Sequence, residues 1–213
     1  MNIEGLPITV DIPNILDLSE EEYALARRNG LGASDASVFL GVQPFKTIPE
    51  LIQEKCTLYW TEEEQAIGQK ETVRKGKDLE PLILQKASAE LGVSLEKPTA
   101  MYRHKDYTFL TINFDGIFKD YIDGYIPVEC KYVSPYGDKY YNRDDPEGIP
   151  EYYKAQLQQQ MLCLNAPYGY LAALFDKGWL FHLFKIQRDE AMINRIVIEG
   201  YRTWEKILAK RKG

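Results

Sequence analysis

The sequence predicts an α+β fold, a mixed central β-sheet flanked by helices, and three observations predict it. Segments of helical and of strand period run in the order helices, three strands, a helix, two strands and a helix. No repeat, low-complexity tract or linker divides them, so residues 1–213 read as a single domain, long enough to bury a core. Apolar residues make up 45% and charged residues 27%, the balance of a soluble globular protein.

The elements follow in order. In "LDLSEEEYALARRNG", Ser19 and Glu22 are spaced as a capping box that opens a short helix, and Gly30 stops it. In "GASDASVFLG", Ser34 or Asp35 opens a second short helix that ends near Gly41. Pro49 in "TIPELIQEKC" marks a first helical turn. Glu71 to Leu91 reads as a long helix stopped by Gly92, with Leu79, Leu82, Ile83, Ala87 and Leu91 as its apolar stripe. Strand-like segments near 99–104, 107–119 and 125–133 form a three-strand meander, the last two joined through "YIDGY". After the turn-rich "SPYGDKYYNRDDPEGIP", a helix from Pro150 to Leu164 carries Tyr153, Leu157, Met161 and Leu164 on one line. "YGYLAALF" and "WLFHLFKIQ" are strands joined by "DKG". A last amphipathic helix over 189–210 turns Ile193, Ile196, Val197, Trp204 and Leu208 to the core.

Composition narrows the function classes. No apolar run approaches a membrane span, and the N-terminal stretch lacks the basic and apolar regions of a signal peptide. Cys56, Cys130 and Cys163 are odd in number with no C-x-x-C pair, against a disulfide framework or a four-cysteine metal site. A reducing cytoplasmic location is the expectation. The net charge of −6 gives no global basic signature for nucleic acid, so a polyanion would be met by a local patch. The excess acid suits a divalent-cation site.

The segment "YIPVECKYVSPYG" raises the chemical question. Glu129 and Lys131 are two apart on a strand, hence on one face, between Val128 and Val133 that want burial. Asp115 sits likewise among Ile112, Phe114, Ile117 and Phe118. A two-residue Asp123-Gly124 turn would set Asp115 opposite Tyr132, on the wrong side. A three-residue loop, Ile122-Asp123-Gly124, sets it opposite Lys131 and diagonal to Glu129, with Gly124 at the left-handed position such loops want. Two carboxylates and an ammonium on one face are what phosphodiester hydrolysis needs: the acids hold a divalent cation, and the lysine orients or helps deprotonate water and offsets developing charge. The spacing D-x(13)-E-x-K is the signature of the PD-(D/E)XK, or restriction-endonuclease-like, nucleases.

"RRNGLGASDAS", "GKDLEPLILQ", "NFDGIF", "VECKYVSP" and "YYKAQLQQQM" occur in that order. Together they resemble the YqaJ-type viral recombinases, the family that includes phage lambda exonuclease, across roughly residues 20–165. Two positions depart from the usual pattern: Phe114 stands where a proline or small residue is common, and Cys130 where Ile or Val is. Neither removes a catalytic group. The resemblance implies that Asp115 and Glu129 are metal ligands for Mg²⁺, which Mn²⁺ can replace, with the Cys130 backbone carbonyl alongside. It implies that Lys131 is the catalytic lysine. Glu80 would approach the metal directly or through water, and Gln156 would hold the attacking water or Lys131. Arg27 and Ser34 match the residues used at the 5′-phosphate. The implied activity is 5′→3′ exonucleolysis of linear duplex DNA, leaving a 3′ single strand for an annealing recombinase. The implied assembly is a homotrimeric ring around the duplex, in a phage- or prophage-bearing bacterial cell.

Structural alternatives exist for each residue. Glu80 and Arg27 can be solvated helix residues, Ser34 a helix cap, and Gln156 and Gln158 surface glutamines. His104 and His182 read as structural, Cys130 as core. Tyr132, Tyr136, Tyr140 and Tyr141 can stack bases or simply pack. The rival functions are an endonuclease on the same fold and a non-catalytic DNA-end-binding protein. An iron–sulfur nuclease of the Cas4 kind is disfavoured, because three scattered cysteines cannot supply four ligands.

Overall fold

The computed structural model describes residues 1–213, built from seven strands and seven helices with short 3₁₀ turns between some of them. β1 (Ile8–Ile12), β2 (Met101–His104) and β3 (Thr111–Ile112) form an antiparallel three-stranded sheet. β4 (Gly116–Asp120), β5 (Gly124–Val133), β6 (Tyr168–Phe175) and β7 (Leu180–Gln187) form a second sheet in that order. β4–β5 and β6–β7 are antiparallel and β5–β6 is parallel, so this sheet is mixed, as expected. A parallel pair needs a long return path. Helix α6 (Glu151–Leu164) lies in that return, between β5 and β6.

The meander expectation is corrected. Residues 107–119 are not one strand; they divide into β3 and β4, which belong to different sheets, and Asn113-Phe114-Asp115 make the transfer. The long helix α5 (Glu71–Leu91) presses on the second sheet where β4 begins. A Cβ on Gly116 would stand 2.5 Å from Leu84 Cδ2, so a larger residue there would have to displace the Leu84 side chain.

The β4–β5 hairpin also differs from the expectation. Asp120 pairs with Gly124, which leaves Tyr121-Ile122-Asp123 as the loop, one residue earlier than expected. Asp120 draws the loop back, because its Oδ1 accepts the N–H groups of Ile122 at 2.8 Å and Asp123 at 2.9 Å. Gly124 has the expected positive φ, 78°. The register therefore sets Asp115 across from Glu129 instead of Lys131. A shift of two residues keeps a side chain on the same face, so the convergence survives.

Helix boundaries mostly follow local chemistry. α1 (Glu20–Ala26) opens with the Ser19–Glu22 capping box, but it gives way to a 3₁₀ turn at Arg27–Asn29 before Gly30 is reached. α2 (Ala33–Phe39) opens on Gly32, not on Ser34 or Asp35, with the Asp35 carboxylate accepting the Gly32 N–H at 2.8 Å. α3 (Ile48–Cys56) is capped by Thr47 with Pro49 in its first turn, and α5 ends at Gly92 as its sequence indicates. α4 (Glu62–Gly68) and β1 were not read from the sequence. In α7 (Glu190–Lys212), Ile193 and Ile196 are buried with Thr203 and Ile207, whereas Val197, Trp204 and Leu208 are only partly covered. No helix is long and apolar enough to cross a membrane.

Two cores hold these parts. The larger joins the four-stranded sheet to α5 and α6 through Ile83, Ile117, Val128, Leu157, Leu171 and Phe184. The smaller joins α2, α3 and α7 through Phe39, Leu51, Leu110, Ile196 and Ile207. Each such side chain contributes roughly 1.5–3 kcal/mol when fully buried. The three cysteines are free, with Cys130 and Cys163 buried.

Candidate active site

β5 is flanked by β4 on one side and β6 on the other, and it carries Glu129 at 3% exposure. A buried carboxylate demands partners. Glu129 has three: Lys131 Nζ and Gln156 Nε2 donate to Oε1, each at 2.5 Å, and Gln160 Nε2 donates to Oε2 at 2.5 Å. Gln156 and Gln160 are four residues apart on α6, hence on one helix face. Gln156 thus has a partner the sequence did not name, Glu129. Gln160 was missed, although its spacing from Gln156 beside the Leu157–Met161 stripe was legible.

Lys131 stands over the Tyr153 ring, 4.9 Å from its centroid. Burial favours the neutral amine, but the Glu129 charge outweighs it and holds the ammonium above the usual lysine range. Lys131 thus stands beside Glu129 as a hydrogen-bond donor and a positive charge. Asp115 enters from the sheet-to-sheet transfer and accepts the Cys130 N–H at 2.9 Å. Burial and the neighbouring Glu129 charge push its carboxyl up to about 8. The Cys130 side chain turns into the core, where burial raises its thiol, as its strand position indicates.

Glu80 on α5 is paired with Lys97 and hydrogen-bonds neither Asp115 nor Lys131, although its charge is felt at Asp115. Gly76 offers no close approach within the chain, since a Cβ there would meet nothing within 4 Å. His104 is structural: its Nδ1 accepts the N–H groups of Asp106 and Tyr107, both at 3.1 Å. His182 packs on Phe184, ring centroids 4.4 Å apart. Tyr141 packs among Tyr153, Phe175 and Phe184, and the Tyr132 hydroxyl donates to Asp176 at 2.7 Å. Tyr136 and Tyr140 are exposed.

One cavity of about 170 Å³ joins the two groups of residues singled out in the sequence. Asp115, Glu129 and Gln156 line one side, and Arg27 and Ser34 line the other. Arg27 Nη2 donates to Ser34 Oγ at 2.9 Å. Asp35 is turned away, its carboxylate against Lys55 Nζ at 2.7 Å and on the Gly32 N–H.

The donor set fits a hard divalent cation. Two carboxylates share a buried gap, where burial first and the Glu129 charge second raise the Asp115 pKa. No cluster of three or more His, Cys, Asp or Glu gathers here, so the remaining ligands would be water or backbone oxygen. That suits Mg²⁺, which keeps several of its waters.

A pH signature follows for the metal-free protein. Between 3.8 and about 8 the folded chain retains a proton on Asp115 that the unfolded chain releases, so this group's contribution to stability falls as pH rises through that window. Asp115→Asn, which can still accept the Cys130 N–H, should melt close to the parent at acidic pH. It should melt progressively above the parent towards pH 8 in chelator. A melting difference independent of pH would exclude a raised Asp115 pKa.

A mixed sheet whose inner strand carries acid-x-lysine, with a second acid brought alongside by its antiparallel neighbour, is the PD-(D/E)XK, restriction-endonuclease-like fold. Residues 22–167 match the YqaJ-like viral recombinase domain, and the chain belongs to that family. It is 30% identical over 195 residues to the uncharacterized protein YqaJ of Bacillus subtilis (strain 168), covering 90% of this chain and 58% of that relative. The chain thus spans well under two thirds of that relative's length. The fold is similar to an alkaline exonuclease (LHK-Exo) from Laribacter hongkongensis, with a TM-score of 0.67, 18% identity, and 89% and 93% of the two chains covered. It is also similar to a phage-related exonuclease from Haemophilus somnus 129PT, with a TM-score of 0.56, 15% identity, and 85% and 96% covered.

Proposed function

We propose that the chain is a Mg²⁺-dependent exonuclease that degrades one strand of linear duplex DNA in the 5′→3′ direction. The observation that carries this reading is the shared cavity: a carboxylate pair beside a lysine on one side, an arginine–serine pair on the other. Arg27 and Ser34 would hold a terminal phosphate, and the next phosphodiester would fall against Asp115 and Glu129. Arginine suits a phosphate because its planar fork donates to two oxygens at once. Mg²⁺ held by Asp115 and Glu129 would polarise the scissile phosphate and acidify a water. Lys131, fixed as an ammonium by Glu129, would offset charge developing on the phosphate oxygens. Gln156 would hold Glu129 in the orientation this requires. Glu80 would reach the site through water. The Cys130 carbonyl would serve as a backbone ligand.

The direction, the 3′ tail, the annealing-protein partner and the trimeric ring come from the family resemblance. A ring is physically apt for a chain of net charge −6, because enclosure retains DNA without a strongly basic, salt-sensitive surface. Purified protein with Mg²⁺, given linear and covalently closed duplex side by side, tests the proposal. Acid-soluble nucleotides from the linear substrate alone are expected. Nicked circles would make it an endonuclease, and no release from either would make it an end binder.

End recognition gives a second test. A 5′-phosphorylated end should be degraded about tenfold or more faster than a 5′-hydroxyl end, the scale of a charge-assisted hydrogen bond. Arg27→Ala should abolish that preference without changing divalent-cation affinity. Equal rates on both ends in the parent would separate Arg27 and Ser34 from end recognition.

A further inference from the structure

Two charged side chains behind the Arg27–Ser34 wall have no part in the chemistry above. Lys55 on α3 is 2% exposed and Asp35 on α2 is 5% exposed. Lys55 Nζ lies 2.7 Å from Asp35 Oδ2 and donates to the Arg27 carbonyl at 2.9 Å. Asp35 Oδ2 also accepts the Gly32 N–H. Leu51, one turn before Lys55, is fully buried in the smaller core. Stability does not explain an ion pair at this depth. Desolvation of the two charges is seldom recovered by their attraction, and an apolar pair of equal volume serves a fold as well.

The pair does alter what Arg27 offers. Asp35 directly follows Ser34, and its charge reaches the Arg27 guanidinium. Without Lys55, Asp35 would be an internal anion competing with phosphate for Arg27. With Lys55 present, Arg27, Asp35 and Lys55 together carry one net positive charge, and Asp35 is anchored between Lys55 and Gly32. The next carboxylate, Glu54, is occupied by Lys46.

We propose that Lys55 is a positioning residue for end recognition: by neutralising and anchoring Asp35, it leaves Arg27 and Ser34 to a phosphomonoester at the 5′ end of DNA. This rests on the reading of the Arg27–Ser34 wall as a phosphate pocket and adds the element that makes the pocket electropositive.

The test is equilibrium binding, in chelator so that no strand is cut, to duplexes ending in 5′-phosphate or 5′-hydroxyl. Lys55→Met should lose about tenfold or more of the 5′-phosphate preference while binding the 5′-hydroxyl end as the parent does. Asp35→Asn, whose amide oxygen can still accept the Gly32 N–H, should keep or increase the preference. The double variant Lys55→Met with Asp35→Asn should regain it. A merely structural Lys55 would weaken both ends in step with a lower melting temperature, and the double variant would not recover. If Lys55→Met does not fold, loss of preference in Asp35→Asn or in the double variant overturns the inference. A parent without any preference overturns the pocket itself. A parent with preference that Lys55→Met retains overturns only the role of Lys55.

Discussion

Lys131→Ala should bind DNA ends as tightly as the parent and cut them at least about a hundredfold more slowly, the scale of removing one electrostatic catalyst. The reason lies in its charge state. Glu129 at 2.5 Å favours Lys131 as an ammonium, a charge that a neutral side chain of similar bulk does not supply. The fold should tolerate the change, because Glu129 keeps the two glutamine donors of α6 and is not left unsatisfied. Single-turnover cleavage of a linear duplex, beside equilibrium binding of the same duplex, separates the two effects. Near-normal cleavage would remove Lys131 from the site.

Asp115→Ala should lose cleavage to at least the same extent, about a hundredfold, and lose divalent-cation affinity with it. Its carboxylate is one of the two that line the cavity, the other being Glu129. Glu80 is committed to Lys97. Calorimetric titration with Mn²⁺ or Mg²⁺ distinguishes this variant from Lys131→Ala, which should still bind the cation. An Asp115→Ala protein that binds Mn²⁺ as the parent does would exclude Asp115 as a ligand.

What the sequence made legible was chemistry settled within a turn or two of chain. The Ser19–Glu22 box, the α5 stop at Gly92 and the α6 apolar line each depend on near neighbours, and each is found. The parity that places Asp115 with Glu129 and Lys131 followed from the three-residue length of the loop, which holds although its position differs. The register itself was not, since it turned on Asp120 reaching two amides in its own loop. Nor was the division of residues 107–119 between two sheets, which answers to Leu84 pressing on Gly116 from a distant helix. β1 becomes a strand by pairing with β2, more than 80 residues on, and its own pattern of one buried residue among exposed ones is weak. α4 was a different kind of miss: its Thr61–Glu64 box is as readable as that of α1. Lys55 looked like an ordinary charge on a short helix, because the partner that explains its burial lies 20 positions upstream.

The placement of β5 between two hydrogen-bonded neighbours implies that the molecule has two clocks. Backbone amides of an inner strand exchange with solvent only when the sheet opens, whereas those of α1, a seven-residue helix with no buried residue, exchange through local fraying. Deuterium uptake should therefore be slowest over Val128–Lys131 and much faster over α1. The groups proposed to break the bond would ride on a frame that holds still through many turnovers.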